Sequence, residues 1–289
     1  GKLFLLVDIQ NGIPVYWSGL NSEAAITTNV VSLRAGGSIG LNLEGDGMTI
    51  GVWDAGLVKQ HVELDGRVVS TEGGEAKTHA NHVTGTLIAA GVFGDPAIAT
   101  SEDYRFGFYG DRARDIDELA FNAPHYTIVW AAGNDRSQTG DGSRPPDCNG
   151  GTGFDCIIPE SVAKNIITVG AVNKVLNYTG PASVSISTFS SGGPTDDGRI
   201  KPDLVAAGVN LFSLSASGDN TYTILSGTSM ATPNVSGSLL LLQELYQKTH
   251  GGKSMRSATL KGLAIHTAKE AGAGPGPDYT YGWGLLDAG

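Results

Sequence analysis

Three short apolar runs constrain this chain more than any other feature. "MTIGVW" (48–53), "YTIVWAA" (126–132) and "NIITVGAV" (165–172) read as strands buried on both faces, and helical stretches separate them. The helical candidates span 79–90, 112–121, 233–248 and 257–269, the third being the most apolar. Strands alternating with helices predict an α/β fold, a parallel sheet covered by helices on both faces. With 289 residues and 40% hydrophobic content the chain can bury a sizeable core, and it carries no internal repeat.

The first residues stand apart from that pattern. "KLFLLVDIQNGIPVYW" places an apolar run on each side of Asn11-Gly12, which predicts a hairpin. Residues 18–45 are polar and Gly-rich and read as a connecting arm. The expected organisation is therefore a hairpin and arm over 1–45 and one α/β unit over 46–289.

Charge decides which partners to expect. A net charge of −10 with only 19 Lys and Arg argues against nucleic acid and against an anionic membrane surface. No apolar run reaches eighteen residues, so no helical membrane span is expected. The sequence opens at Gly1 without a signal peptide, which reads as a mature or trimmed start. Cys148 and Cys156 lie in a Gly/Pro-rich loop, "PPDCNGGTGFDC". Zinc would need further ligands nearby, and no Cys/His cluster supplies them. A local disulfide formed in an oxidising compartment is expected, with free thiols as the alternative. That places the chain outside the cytoplasm, secreted or extracytoplasmic.

In open parallel sheets, chemistry collects where strands end and helices begin. Three residues stand at such places: Asp54 after "MTIGVW", Asn134 after "YTIVWAA" and Gly133, and Ser229 ahead of an apolar helix. The lead-in to that helix, "ILSGTSMATPNVSGSLLLL" (224–242), offers Ser226, Thr228, Ser229 and Thr232 where capping needs one hydroxyl. Pro233 suits a first helical turn, because its missing N–H costs nothing there. Ser229 is then expected at the helix mouth with its hydroxyl exposed. Met230 should lie beside the reacting centre.

A serine hydroxyl needs a base, usually a histidine oriented by a carboxylate. Of six histidines, His79 and His82 fall in "KTHANHVTGTLIAAG" at a helix start. His82 reads as structural. His61, His125, His250 and His266 sit in no motif. Asp54, His79 and Ser229 give the chain order Asp, His, Ser. "GTSMATP" resembles the serine motif of the subtilisin-like serine proteases (subtilases), and seven ordered residues make that signal specific. "HANHVTGT" resembles the family's His-Gly-Thr-His-Val-Ala-Gly-Thr, which implies His79 as the base. "WDAGL" resembles the aspartate motif and implies Asp54. "AAGND" resembles the segment whose asparagine helps bind the oxyanion and implies Asn134. "GRIKPDLVAAG" resembles a further family stretch, and the likeness runs from about residue 46 to 289.

The departures are few. Ala80 and Asn81 replace the family's Gly-Thr, Ala55 replaces a Thr or Ser that could steady Asp54, and Ala207 stands where the family often has Pro. The interval from His79 to Asn134, 134 − 79 = 55 positions, is short for the family. It lacks the Ser/Leu/Gly-rich segment that pairs with extended substrate. Either that segment is deleted, or residues are absent from the sequence between about Gly91 and Ser101. The well-kept motifs on either side favour absence.

The resemblance implies a serine endopeptidase with a triad of Asp54, His79 and Ser229 and an oxyanion hole of the Asn134 side chain and the Ser229 N–H. It would work on polypeptides as a monomer, with no metal in the reaction and no organic cofactor. Structural calcium is common in the family, but no loop here reads as a site. Residues 1–45 would be either the tail of a pro-region or a permanent extension. The alternatives are a peptide-binding pseudoprotease with an incomplete cleft and an esterase-like hydrolase using the same triad.

Overall fold

The sheet at the centre of the molecule is built from five parallel strands that lie in the order in which they occur along the chain: β3 (Val52–Trp53), β4 (Val92–Phe93), β5 (Val129–Ala131), β6 (Ile167–Val172) and β7 (Leu204–Ala207). The structure, a computed structural model, describes residues 6–10, 13–16, 21–64, 66–71, 73–87, 92–93, 103–139 and 151–289. Ahead of the sheet, β1 (Leu6–Gln10) and β2 (Ile13–Tyr16) pair antiparallel, with Gln10 opposite Ile13.

Successive side chains of a strand point to opposite faces, and β5 shows the consequence. Ile128, Trp130 and Ala132 are buried on one side with Ala113 and Ala120 of α3 (Asp111–Asn122) and with Ile157, Val162 and Ile166. Val129 turns the other way. There it joins Ile167, Val169, Leu204 and Ala206 against Val235 and Leu239 of α4 (Thr228–Thr249) and Leu260 of α5 (Ser257–His266). Every residue of β6 is buried, as a strand covered on both faces requires. The parallel sheet with helices on both faces is the architecture expected from the sequence.

Differences lie at the edges. β3 is the outer strand, and Trp53 is 47% exposed, so "MTIGVW" is not buried on both faces. It lies at the sheet's edge, with β4 as its single strand partner among the described residues. Helix α4 begins five residues before the expected 233, which makes Pro233 its sixth residue and not part of the first turn. Proline inside a helix costs about 3 kcal/mol. Burial of Val235, Leu239 and Leu241 contributes roughly 1.5–3 kcal/mol each and outweighs it.

β4, β7 and the antiparallel pair β8 (Leu211–Leu214) and β9 (Tyr222–Leu225) are short and carried no separate sequence signal. The stretch read as a connecting arm contains α1 (Ser22–Thr27) and folds onto the body. Ala24 packs with Val83 and Met230, and Leu33 and Leu43 pack with Leu241. Glu244 of α4 accepts hydrogen bonds from the backbone N–H groups of Glu44 (3.1 Å) and Gly45 (2.7 Å). Most of the interval 91–101, and Cys148 with it, lies outside the described residues. The expected chain interruption and disulfide pairing therefore fall outside them too.

Candidate active site

Asp54 is the residue immediately after β3, and His79 is the second residue of α2 (Thr78–Leu87). Asn134 follows β5 through Gly133, and Ser229 is the second residue of α4. Gly133 has φ +111°, and a Cβ there would meet Ile158 at 2.7 Å and the Ser191 hydroxyl at 2.8 Å. Only glycine makes that turn, and the turn aims the next side chain.

His79 Nδ1 lies 2.7 Å from Asp54 Oδ2 and 2.9 Å from Oδ1. A carboxylate can only accept, so Nδ1 carries the proton, and Nε2 of the neutral ring keeps its lone pair. The Asp54 carboxylate is 2% exposed, and its Oδ1 also accepts the Ala55 N–H at 2.7 Å. The backbone thus steadies Asp54 at the position where Ala55 has no hydroxyl to offer.

Asn134 Oδ1 accepts from the Thr228 N–H at 2.9 Å and from the Thr228 hydroxyl at 3.1 Å. With its oxygen held twice, the side chain has its NH2 on the other side. Nδ2 lies 3.8 Å from where a Cβ on Gly227 would stand. Nothing in the sequence sets Thr228 apart from its neighbours. The surplus of hydroxyls around Ser229 was the available signal, and Thr228 is one of them. The others are also occupied: Thr232 donates to the Thr228 carbonyl at 2.8 Å, and Ser226 accepts the Asn210 N–H at 2.9 Å.

A cleft of about 510 Å³ has His79, Asn134 and Ser229 in its wall together with Leu225, Gly227 and Met230. Asp54 stands behind His79. Ser229 is more enclosed than the sequence suggests, at 8% exposure, because the first turn of α4 sits among Asn134, Gly227 and the end of β9. The N–H groups of a first helical turn have no partner within the helix, and the helix end is partially positive. The cleft thus has an imidazole, a hydroxyl, an amide NH2 and an electropositive helix terminus.

The other histidines do not enter it. His82 is fully buried, and its Nε2 donates to the Leu211 carbonyl at 2.8 Å. Its Nδ1 has no hydrogen-bond partner, and burial pulls the ring's pKa down to about 4. His61 is buried against Tyr222, with its Nε2 3.0 Å from the Thr221 carbonyl. Among the described residues, no group of three or more His, Cys, Asp or Glu could hold a metal ion, and no helix is long and apolar enough to cross a membrane.

Residues 100–284 match the family model described as the subtilase family. The chain belongs to the subtilase family. Asn134 and Ser229 fall inside the matched stretch of this subtilase, and Asp54 and His79 precede it. Its relatives include the C5a peptidase of Streptococcus pyogenes serotype M3, 42% identical over 93 residues, covering 32% of this chain and 8% of the relative. Pyrolysin of Pyrococcus furiosus is 39% identical over 113 residues, covering 32% of this chain and 8% of the relative. The serine protease/ABC transporter B family protein tagB of Dictyostelium discoideum is 26% identical over 234 residues, covering 54% of this chain and 11% of the relative. The subtilase chain thus spans only 8–11% of the length of these relatives.

Proposed function

We propose that this subtilase is a serine endopeptidase in which Asp54, His79 and Ser229 form the catalytic triad. The observation that carries the reading is the hold of Asp54 on His79 Nδ1, with Ser229 in the wall of the same cleft. His79 Nε2 takes the Ser229 hydroxyl proton as Oγ bonds to the peptide carbonyl carbon. The carbonyl oxygen becomes an oxyanion and is stabilised by Asn134 Nδ2 and the Ser229 N–H. His79 then gives its proton to the departing amine as the C–N bond breaks. Water, deprotonated by the same ring, releases the acid and restores the serine.

The substrates are polypeptides, and the enzyme works as a monomer outside the cytoplasm. Residues 46–289 form the catalytic unit. The buried contacts of Ala24, Leu33 and Leu43 support a permanent role for the preceding extension. A disulfide between Cys148 and Cys156 would staple its loop.

One observation favours a second reading. With only 55 positions between His79 and Asn134 (134 − 79), a substrate-pairing wall would be missing, and the chain would bind peptides without cutting them. Parallel assays on casein and on a small activated ester separate the readings. Hydrolysis of both supports the endopeptidase. Ester hydrolysis alone indicates a triad with a crippled cleft, and binding without either indicates the pseudoprotease.

A further inference from the structure

The residues of the proposed triad come from three separate segments, so something must hold those segments in register. Loop 55–64, which follows Asp54, is bonded to both of the others. Its Leu57 N–H donates to the Glu75 carbonyl at 2.9 Å, and the Lys77 N–H donates back to the Leu57 carbonyl at 3.1 Å, just ahead of α2. One turn into that helix, the fully buried Asn81 brackets the same loop. Asn81 Oδ1 accepts the Lys59 N–H at 2.7 Å, and its Nδ2 donates to the Lys59 carbonyl at 3.0 Å. A single amide thereby satisfies both backbone groups of one residue.

The loop's far end reaches the hairpin that leads to Ser229. His61 Nε2 lies 3.0 Å from the Thr221 carbonyl, and the Val62 N–H donates to the Asp219 carbonyl at 2.9 Å. The Tyr222 hydroxyl donates to Glu63 Oε1 at 3.1 Å.

We propose that Asn81 is a positioning residue. By clamping Lys59 it fixes the loop leaving Asp54 to the helix carrying His79, two residues from the imidazole, and so sets the Asp54–His79 contact. The inference rests on the triad reading. Asn81 also occupies a place where the family has threonine, whose single hydroxyl is too short to bracket both groups of Lys59. A displacement near 1 Å at a reacting group can cost about a hundredfold in rate, so a loosened clamp is expected to act on turnover more than on substrate binding.

The experiment compares the wild-type chain with Asn81→Ala and Asn81→Thr. Each is titrated with a fluorophosphonate to count competent sites, and kcat per labelled site, KM and Tm are then measured. The expected result for alanine is a labelled fraction like the wild type's, kcat per site lower by roughly tenfold or more, and KM within about twofold. Threonine should fall between alanine and the wild type. A merely structural role would lower Tm and the labelled fraction and leave kcat per site unchanged; that outcome overturns the inference. If the alanine variant does not fold, the threonine variant carries the same comparison, and kcat per site equal to the wild type's is again the overturning result. A wild-type chain that neither labels nor hydrolyses overturns the triad reading and this inference together. Wild-type activity matched per site by both variants overturns this inference alone.

Discussion

The Asn134 side-chain oxygen takes two hydrogen bonds from one residue, the N–H of Thr228 at 2.9 Å and its hydroxyl at 3.1 Å. Thr228 directly precedes Ser229, so the residue that orients the proposed oxyanion donor is chained to the proposed nucleophile. Thr228→Val keeps the shape and the backbone bond but removes the hydroxyl. A neutral hydrogen bond of this kind is worth about 0.5–1.5 kcal/mol, so kcat should fall between about twofold and tenfold. Asn134→Leu removes the donor itself and should cost about 10²–10³ in kcat, the size known for such a donor in subtilisin. Steady-state kinetics on one peptide substrate tests the order. Equal losses in the two variants would contradict it.

Met230 follows Ser229 and lines the cleft, yet it is only 2% exposed and packs with Val83, Leu87 and Leu211. Oxidation to the sulfoxide would put a polar group into that cluster. Dilute peroxide should therefore lower activity, and Met230→Leu, which preserves volume, should resist. Met230→Ala should also resist the oxidant but lose roughly 2–5 kcal/mol of stability through the cavity it leaves. Activity after peroxide and denaturant midpoints before it would show both effects.

His82 makes the fold sensitive to acid. Burial holds its pKa at about 4, against the ordinary 6.5, because removal from water disfavours the charged ring. Between those values the unfolded chain binds a proton that the native chain does not, so stability is full above pH 6.5 and falls as pH drops toward 4. The loss from this one group is about 3 kcal/mol. In His82→Gln, where an amide can still donate to the Leu211 carbonyl, unfolding free energies at neutral and acid pH should converge. An unchanged slope in that variant would rule His82 out as its source.

Asp203 lies at the centre of a buried charge cluster. Its Oδ2 is 2.6 Å from Lys201 Nζ and accepts the Thr168 N–H at 2.8 Å, while its Oδ1 is 2.8 Å from Lys261 Nζ. Lys201 is itself 3% exposed, so Asp203→Ala would strand a buried ammonium. Breaking such a pair costs about 3–5 kcal/mol. Chemical denaturation should show a loss of that size. A loss under 1 kcal/mol, on the order of an exposed pair, would contradict the burial.

The residues of the candidate site are easier to pick out in the sequence than several short elements of the frame. Asp54, Asn134 and Ser229 were legible because each stands where a strand or hairpin passes into a turn or helix, inside a motif of several ordered residues. His79 was legible from its partner motif. β4 was not, since two residues give no periodicity, and β8 and β9 alternate too briefly to be told from loop. Pro233 pointed to a helix start five residues too late, because proline is commonest in a first turn. Here the packing of Val235 and Leu239 overrides that preference. Polarity marks 18–45 as an arm and hides that Ala24, Leu33 and Leu43 pack it onto the body. The roles of Thr228 and Asn81 depend on contacts between residues 94 and 22 positions apart, which local pattern does not reveal.

The assignment of Ser229 as nucleophile is tested most directly by reacting the folded chain with a fluorophosphonate, followed by intact mass and peptide mapping. One probe equivalent per chain is expected, carried on Ser229 and absent from Ser229→Ala, with both proteins giving the same circular dichroism. A folded wild-type chain that takes up no probe, or a Ser229→Ala variant that is labelled as fully as the wild type, would contradict it.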